Sequence, residues 1–446
     1  MNSSRNRFQD KWLTGILLFA ASSVLLVSLF YIDRQLAQSE GPWGVIHFKE
    51  QNGRESIAVQ DFSFFWHTGH AWRTSPSTSP YQSGKHLQQF KNWTQTDNSS
   101  LVMPYFYAPL HLYLFATISL VPVRIAYLIL AILTILGCAV GIWWLMQKNF
   151  HSQNVSRWIP LIAFASIAYM QVIHIGQMSI VFLILLFGFA RLVSVKNDAR
   201  SASSGLFLFL LAMKPPLALP LLIWTVAQKK YRAAGWFTVC CILLVITSPL
   251  FLGWNWISDY FSNITAFSSP LEGSISTGGS GGSSHTNLRN VINLLFSPLA
   301  THASLISYAL WALAIIPLFL RKPSDPSSAY LLGYALMTYL LFSPHLNRSD
   351  DLLLALPLYI AGLTLRFGSP ASWSYLIAGV LLFFLPFASL GSWMIIVTWT
   401  AKAALTVWLA CLAFQSSDPE PAAIEPAVPE TPTDRFPSAH PDSSAV

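Results

Sequence analysis

Long apolar stretches separated by short polar turns run through the chain. Stretches that approach the thickness of a bilayer fall at 12–31, 105–121, 125–146, 158–173, 178–195, 205–226, 236–252, 302–320, 330–342, 352–365, 374–390 and 393–414. The pattern predicts an all-α integral membrane protein with about twelve transmembrane helices. The runs at 158–173, 330–342 and 352–365 are short for a full crossing. Between the runs lie two long polar loops, at about 32–104 and 253–301. The second contains Trp254-Asn255-Trp256 and a stretch of mostly Gly and Ser at 274–284.

Composition supports this reading. The chain is 53% hydrophobic and only 10% charged, against roughly 25% charged in soluble domains. Basic residues mark the inner side. Arg5, Arg7 and Lys11 precede the first run, which is too long for a signal peptide and has no small-x-small cleavage pattern at its end. Alternation from a cytoplasmic N-terminus puts both long loops outside. It puts the turns Lys229-Lys230-Tyr231-Arg232 and Arg321-Lys322, and Arg366, inside. The basic loops 147–157 and 194–204 run against this scheme.

The domain reading is a polytopic membrane domain at 1–414 and a tail at 415–446. The tail has seven prolines, six acids and one arginine, which suits a disordered cytoplasmic segment. Its net charge of −5 leaves about +12 on the rest of the chain, whose formal total is +7. Those cations sit in short loops beside helices, where they orient the protein and meet anionic lipid, and no basic helix or zinc pattern points to nucleic acid. Cys138, Cys240, Cys241 and Cys411 all lie inside apolar runs, so no disulfide is expected.

Four polar clusters carry the candidate chemistry, because polar groups at membrane depth are costly and usually functional. In the first outer loop, Asp61 lies among Phe62, Phe64, Phe65 and Trp66, followed by His67 and His70. Desolvation by such rings makes a carboxylate a usable base near neutral pH; the alternative is an acid capping a helix start. Gly176-Gln177 separates two apolar runs. Lys214-Pro215-Pro216 interrupts another, where an ammonium would either grip a phosphate head group or be satisfied by the broken helix itself. Ser343-Pro344-His345-Leu346-Asn347-Arg348-Ser349-Asp350-Asp351 ends a run on the outer side. His345 and Arg348 there suit a phosphate, although Asp350 and Asp351 also suit a helix N-terminus. A zinc site from His67, His70 and His345 lacks any supporting Cys or Glu-x-x-His pattern.

In this order, the clusters resemble the polyprenol-phosphate-sugar-dependent glycosyltransferases of the GT-C superfamily, and most closely glycosyltransferase family 87. The resemblance rests on the segment from Asp61 to Gly69, on Tyr105-Phe106-Tyr107-Ala108-Pro109-Leu110, on Gly176-Gln177-Met178, on Lys214-Pro215, and on Ser343-Pro344-His345-Leu346 with Asp350. It spans about 12–365. Ala108 replaces the first proline of the family's usual pair, and Ser349 stands where an aromatic is expected.

The resemblance implies a GT-C-type helix bundle in the cell inner membrane. It implies transfer of a hexose, most simply mannose, from a polyprenyl-phosphate donor to a glycolipid or glycan acceptor on the outer face. Asp61 is then the general base of an inverting reaction. Lys214, His345 and Arg348 would bind the donor phosphate, and Phe65, Trp66, His67, Tyr107, Gln177 and Asp350 the substrates. No metal or other cofactor is implied. The competing reading is a transporter or flippase of lipid-linked saccharides, which should show two similar halves; none is evident in the sequence.

Overall fold

The structure is a computed structural model. It describes parts of 15–30, then 47–49, 55–57, 60–75, 79–94, 105, 107–149, 155–193, 198–267, 287–320, 327–343, 346, 348–365, 369–384 and 393–415. His345, the Gly/Ser stretch 274–284 and the tail beyond 415 lie outside the described residues.

Helices make up almost all of it. One short antiparallel ribbon pairs β1 (His47–Lys49) with β2 (Glu55–Ile57). Two helices of the first loop follow, α1 (Gln60–Thr74) and α2 (Ser83–Thr94). Next come α3 (Pro109–Ile118), α4 (Val123–Asn149), α5 (Ile159–Phe164), α6 (Ile167–Ile175), α7 (Ser179–Val193), α8 (Asp198–Leu211) and α9 (Pro215–Ala227). The second half contains α10 (Tyr231–Leu252), α11 (Trp256–Phe267), α12 (Leu288–Leu295), α13 (Ala303–Ile315), α14 (Pro317–Leu320), α15 (Ser327–Phe342), α16 (Ala355–Gly362), α17 (Pro370–Phe384) and α18 (Trp393–Gln415).

Among the described residues, three helical segments are long and apolar enough to cross a membrane: α10, the stretch Ser297–Leu320, and α18. A fourth arises if α3 and α4, bent by 112°, count as one span. Apolar helices of 10–17 residues account for several of the other runs. The expected total of about twelve full crossings is therefore not confirmed among the described residues. The physical reason is that many apolar runs are broken. The run 158–173 splits into α5 and α6 at Ala165-Ser166, with the Ser166 hydroxyl accepting from Tyr169 N–H. The run 205–226 divides at Met213-Lys214, where Pro215 starts a new helix because it needs no intrahelical donor.

Lipid-facing and packed surfaces differ clearly. Helix α10 exposes Val239, Ile242, Leu243, Ile246 and Leu250, as a bilayer allows and water does not. The interior is a continuous apolar core built from α1, α3, α6–α9, α15 and α16. Helix α1 crosses α3 at very close range. A β-carbon added at Gly69 would lie 2.3 Å from the Phe115 backbone carbonyl carbon and 2.5 Å from Ala116 N. Backbone cannot yield as a side chain does, so Gly69→Ala should push the two helices apart. The expected loss is about 1–3 kcal/mol, read as a lower thermal midpoint of the purified protein in detergent. An unchanged midpoint would mean that α1 shifts freely on α3.

Candidate active site

Helix α1 is not an apolar span; it is a helix of the first loop laid against the bundle. Its first turn carries Asp61, and its next residues bury their rings. Phe62 meets Phe115 and Tyr127 with centroids 5.8 and 5.4 Å apart. Phe65 meets Tyr107 edge-on at 4.9 Å. The Trp66 indole donates to the Val121 carbonyl at 2.9 Å, at the bend between α3 and α4. These contacts fix the helix and so fix its partly buried acid.

The partner of Asp61 comes from far along the chain. Helix α6 ends at Gly176, whose left-handed backbone (φ 69°) turns the chain without a β-carbon penalty. The next residue is Gln177, whose Nε2 donates to Asp61 Oδ2. Burial raises the Asp61 carboxyl from its ordinary value to about 7; Lys214 opposes the rise and Asp350 adds to it. A base poised near 7 is half-ionised at neutral pH, which suits proton abstraction.

Lys214 lies at the break between α8 and α9. Its Nζ is 2.5 Å from Asp350 Oδ2, and both side chains are buried. Asp350 also accepts from Ser179 Oγ at 3.1 Å and from Tyr339 OH at 3.4 Å. Asp61, Gln177, Ser179, Lys214, Tyr339 and Asp350 thus form one polar cluster inside an apolar bundle. Tyr107 adjoins it, with its ring edge-on to Phe65.

The residue that departs from the family pattern supports this cluster. Ala108 N–H donates to the Met213 carbonyl at 3.3 Å, immediately before Lys214. A proline at that position would have no N–H to give. The same segment is held by Tyr81 OH on the Tyr107 carbonyl (2.9 Å) and by Asn263 Nδ2 on the Tyr105 carbonyl (3.2 Å).

Next to Lys214 opens an apolar cavity of about 590 Å³. Its walls include Tyr107, Leu222, Phe237, Tyr260 and Trp311, and Lys214 is the cationic side chain among its lining residues. The volume is within the ordinary range for small-molecule sites, roughly 300–1,000 Å³.

The sequence-derived site residues divide into three groups. Asp61, Tyr107, Gln177, Lys214 and Asp350 come together. Phe65, Trp66 and His67 sit in the aromatic packing beside that cluster. His67 lies 4.6 Å from Trp93 and 6.2 Å from His86, and Trp66 stacks between His70 and Trp93. Burial, helped by His86 and His70, lowers His67 to about 3, so it is neutral at physiological pH. Arg348 opens a 3-10 turn, Arg348–Leu354, with its side chain outside the described residues, as is His345.

Sequence reasoning missed Ser179, Tyr339 and Lys402. Ser179 begins α7 two residues after Gln177, and only its neighbour was weighed. Lys402 lies within the apolar run 393–414 and pairs with Asp351 at 2.5 Å. A cation in an apolar run is the signal that singled out Lys214, and it applied equally here.

The model of glycosyltransferase family 87 matches residues 105–344, more than half the chain. No curated protein and no solved structure matches. The matched region contains Gln177, Ser179, Lys214 and Tyr339, while Asp61 and Asp350 lie on either side of it.

Proposed function

The chain belongs to glycosyltransferase family 87 and is a membrane glycosyltransferase with a donor and an acceptor, and from that premise we propose that its donor is a polyprenyl-phosphate hexose, most simply the mannose form. The observation that carries this reading is the apolar cavity with Lys214 beside it and Asp61 close by. A polyprenyl chain requires an apolar groove, its phosphate requires a cation, and the attacking hydroxyl requires a base. All three lie together. No nucleotide-binding domain is needed, because the donor arrives through lipid.

In the reaction, the acceptor hydroxyl oxygen attacks the anomeric carbon from the face opposite the phosphate. Asp61 takes its proton. The bond from the anomeric carbon to the phosphate oxygen breaks, and its electron pair leaves with the polyprenyl phosphate. Configuration inverts. Lys214 stabilises the departing anion, which requires it to share its charge between Asp350 and the phosphate. His345 and Arg348 are assigned to the same phosphate, and the rings around Asp61 keep water from the base. The acceptor is a glycolipid or glycan.

The proposed setting is the cell inner membrane, with 1–414 as a multi-pass domain. The loops about 32–104 and 253–301 then face outward and the tail 415–446 inward. Reporter fusions at Asn92 and after Phe414 should report opposite sides; reporting from one side would contradict the arrangement.

The donor assignment is tested by filling the cavity. Leu222 lines it and is only partly buried. Leu222→Trp should raise the KM for polyprenyl-phosphate mannose about tenfold with little change in kcat, the signature of lost uniform binding. An unchanged KM would remove the cavity from donor recognition.

A further inference from the structure

Asp350 and Asp351 are neighbours in the 3-10 turn Arg348–Leu354. Three residues complete such a turn, so adjacent side chains point about 120° apart. Asp350 accordingly faces Lys214, Ser179 and Tyr339. Asp351 faces the other way and meets Lys402 Nζ at 2.5 Å. Asp351 and Lys402 have no exposed side-chain surface. Lys402 stands in α18, one of the helices apolar enough to cross a membrane. Helix α18 also packs along α15, which supplies Tyr339 to Asp350.

Stability alone does not explain such a pair. Desolvating two charges offsets their attraction, and apolar side chains of similar volume usually hold a core as well or better. What the pair does supply is direction. Lys402 holds one side of the turn while Asp350, on its other side, meets Lys214. Without that grip, a small shift of the turn would displace Asp350 relative to Lys214.

We propose that Lys402 and Asp351 are positioning residues for glycosyl transfer, an ion pair that sets the turn so that Asp350 holds Lys214 beside Asp61. The proposal rests on the Asp61–Lys214 site being the transfer site. It extends that site to α18, beyond the region matched by the family.

The test removes both charges of the pair together. Two pairs serve: Lys402→Gln with Asp351→Asn, which keeps a hydrogen bond, and Lys402→Met with Asp351→Leu, which is apolar. Each is purified in detergent, melted, and assayed with polyprenyl-phosphate mannose across pH. At least one pair should accumulate with a near wild-type melting midpoint. Its kcat should be lower by about 10- to 100-fold, the scale of a small misplacement of reacting groups. The acid limb of its pH–rate profile should leave its wild-type position, because Asp61 would sense Lys214 and Asp350 differently. A folded pair with wild-type kcat and an unmoved limb would overturn the proposal and leave helix packing as the role. Failure of both pairs to accumulate would also overturn it, by making the ion pair a folding element. Asp61→Asn, run alongside, separates the two levels: if that variant transfers sugar normally, the site assignment fails whatever Lys402 does.

Discussion

Asp61→Asn should accumulate in the membrane like the parent chain and transfer sugar about 10²-fold more slowly or worse, the scale of a lost general base. The amide matches the carboxylate in size, so the aromatic packing of α1 should survive. Its oxygen can still accept from Gln177 Nε2, which now donates to the carboxylate. What is lost is basicity. Asp61→Glu should recover little, because the longer arm displaces the oxygen from the attacking hydroxyl. The pH dependence follows from the raised carboxyl. Asp61 works as a base only when ionised, and burial holds it at about 7. In the parent chain, kcat/KM should therefore rise as pH increases through about 7. A flat profile between pH 5 and 8, or near-normal transfer by Asp61→Asn, would place the base elsewhere.

Lys214→Met should have the second large effect, and it should act on stability as well as chemistry. The substitution leaves the Asp350 carboxylate with no exposed surface and without its ammonium partner. Breaking a buried pair from one side costs about 3–5 kcal/mol, so the single variant should accumulate poorly. Lys214→Met with Asp350→Asn removes the stranded charge and should restore much of the accumulation. It should not restore transfer, because the departing phosphate still lacks its cation. In the single variant, any remaining activity should show an acid limb moved to higher pH. Lys214 lowers the Asp61 carboxyl, and its loss lets burial raise it further. Melting curves and pH–rate profiles of both variants check these outcomes. Full transfer by the double variant would reduce Lys214 to a structural counter-ion.

The candidate site was more legible in the sequence than the helix count. Asp61 and Lys214 declared themselves because each is a charge in surroundings that penalise charge, and that penalty can be read locally. Gln177 was legible as a polar residue between two apolar runs, although its role was not. It donates to Asp61 from 116 positions away, and nothing in the local sequence encodes such a pairing. Asp351 and Lys402 were missed as a pair for the same reason.

Helix boundaries failed where hydropathy was averaged over a run. Long uninterrupted runs became the continuous helices α10 and α18. The run 205–226 was read as one helix even though Lys214-Pro215-Pro216 lies inside it, and it folds as α8 and α9. Apolar character continues through such a break, while backbone geometry does not. The break is also what presents Lys214 to the cavity. The sequence feature that breaks the run therefore also marks the candidate site.

The most direct test of the account is transfer by the purified protein from radiolabelled polyprenyl-phosphate mannose to membrane glycolipid or glycan extracts. The account predicts label in a larger glycolipid or glycan, with inverted anomeric configuration and dependence on Asp61. Transfer of label from a nucleotide sugar alone, with none from the polyprenyl-phosphate donor, would contradict it.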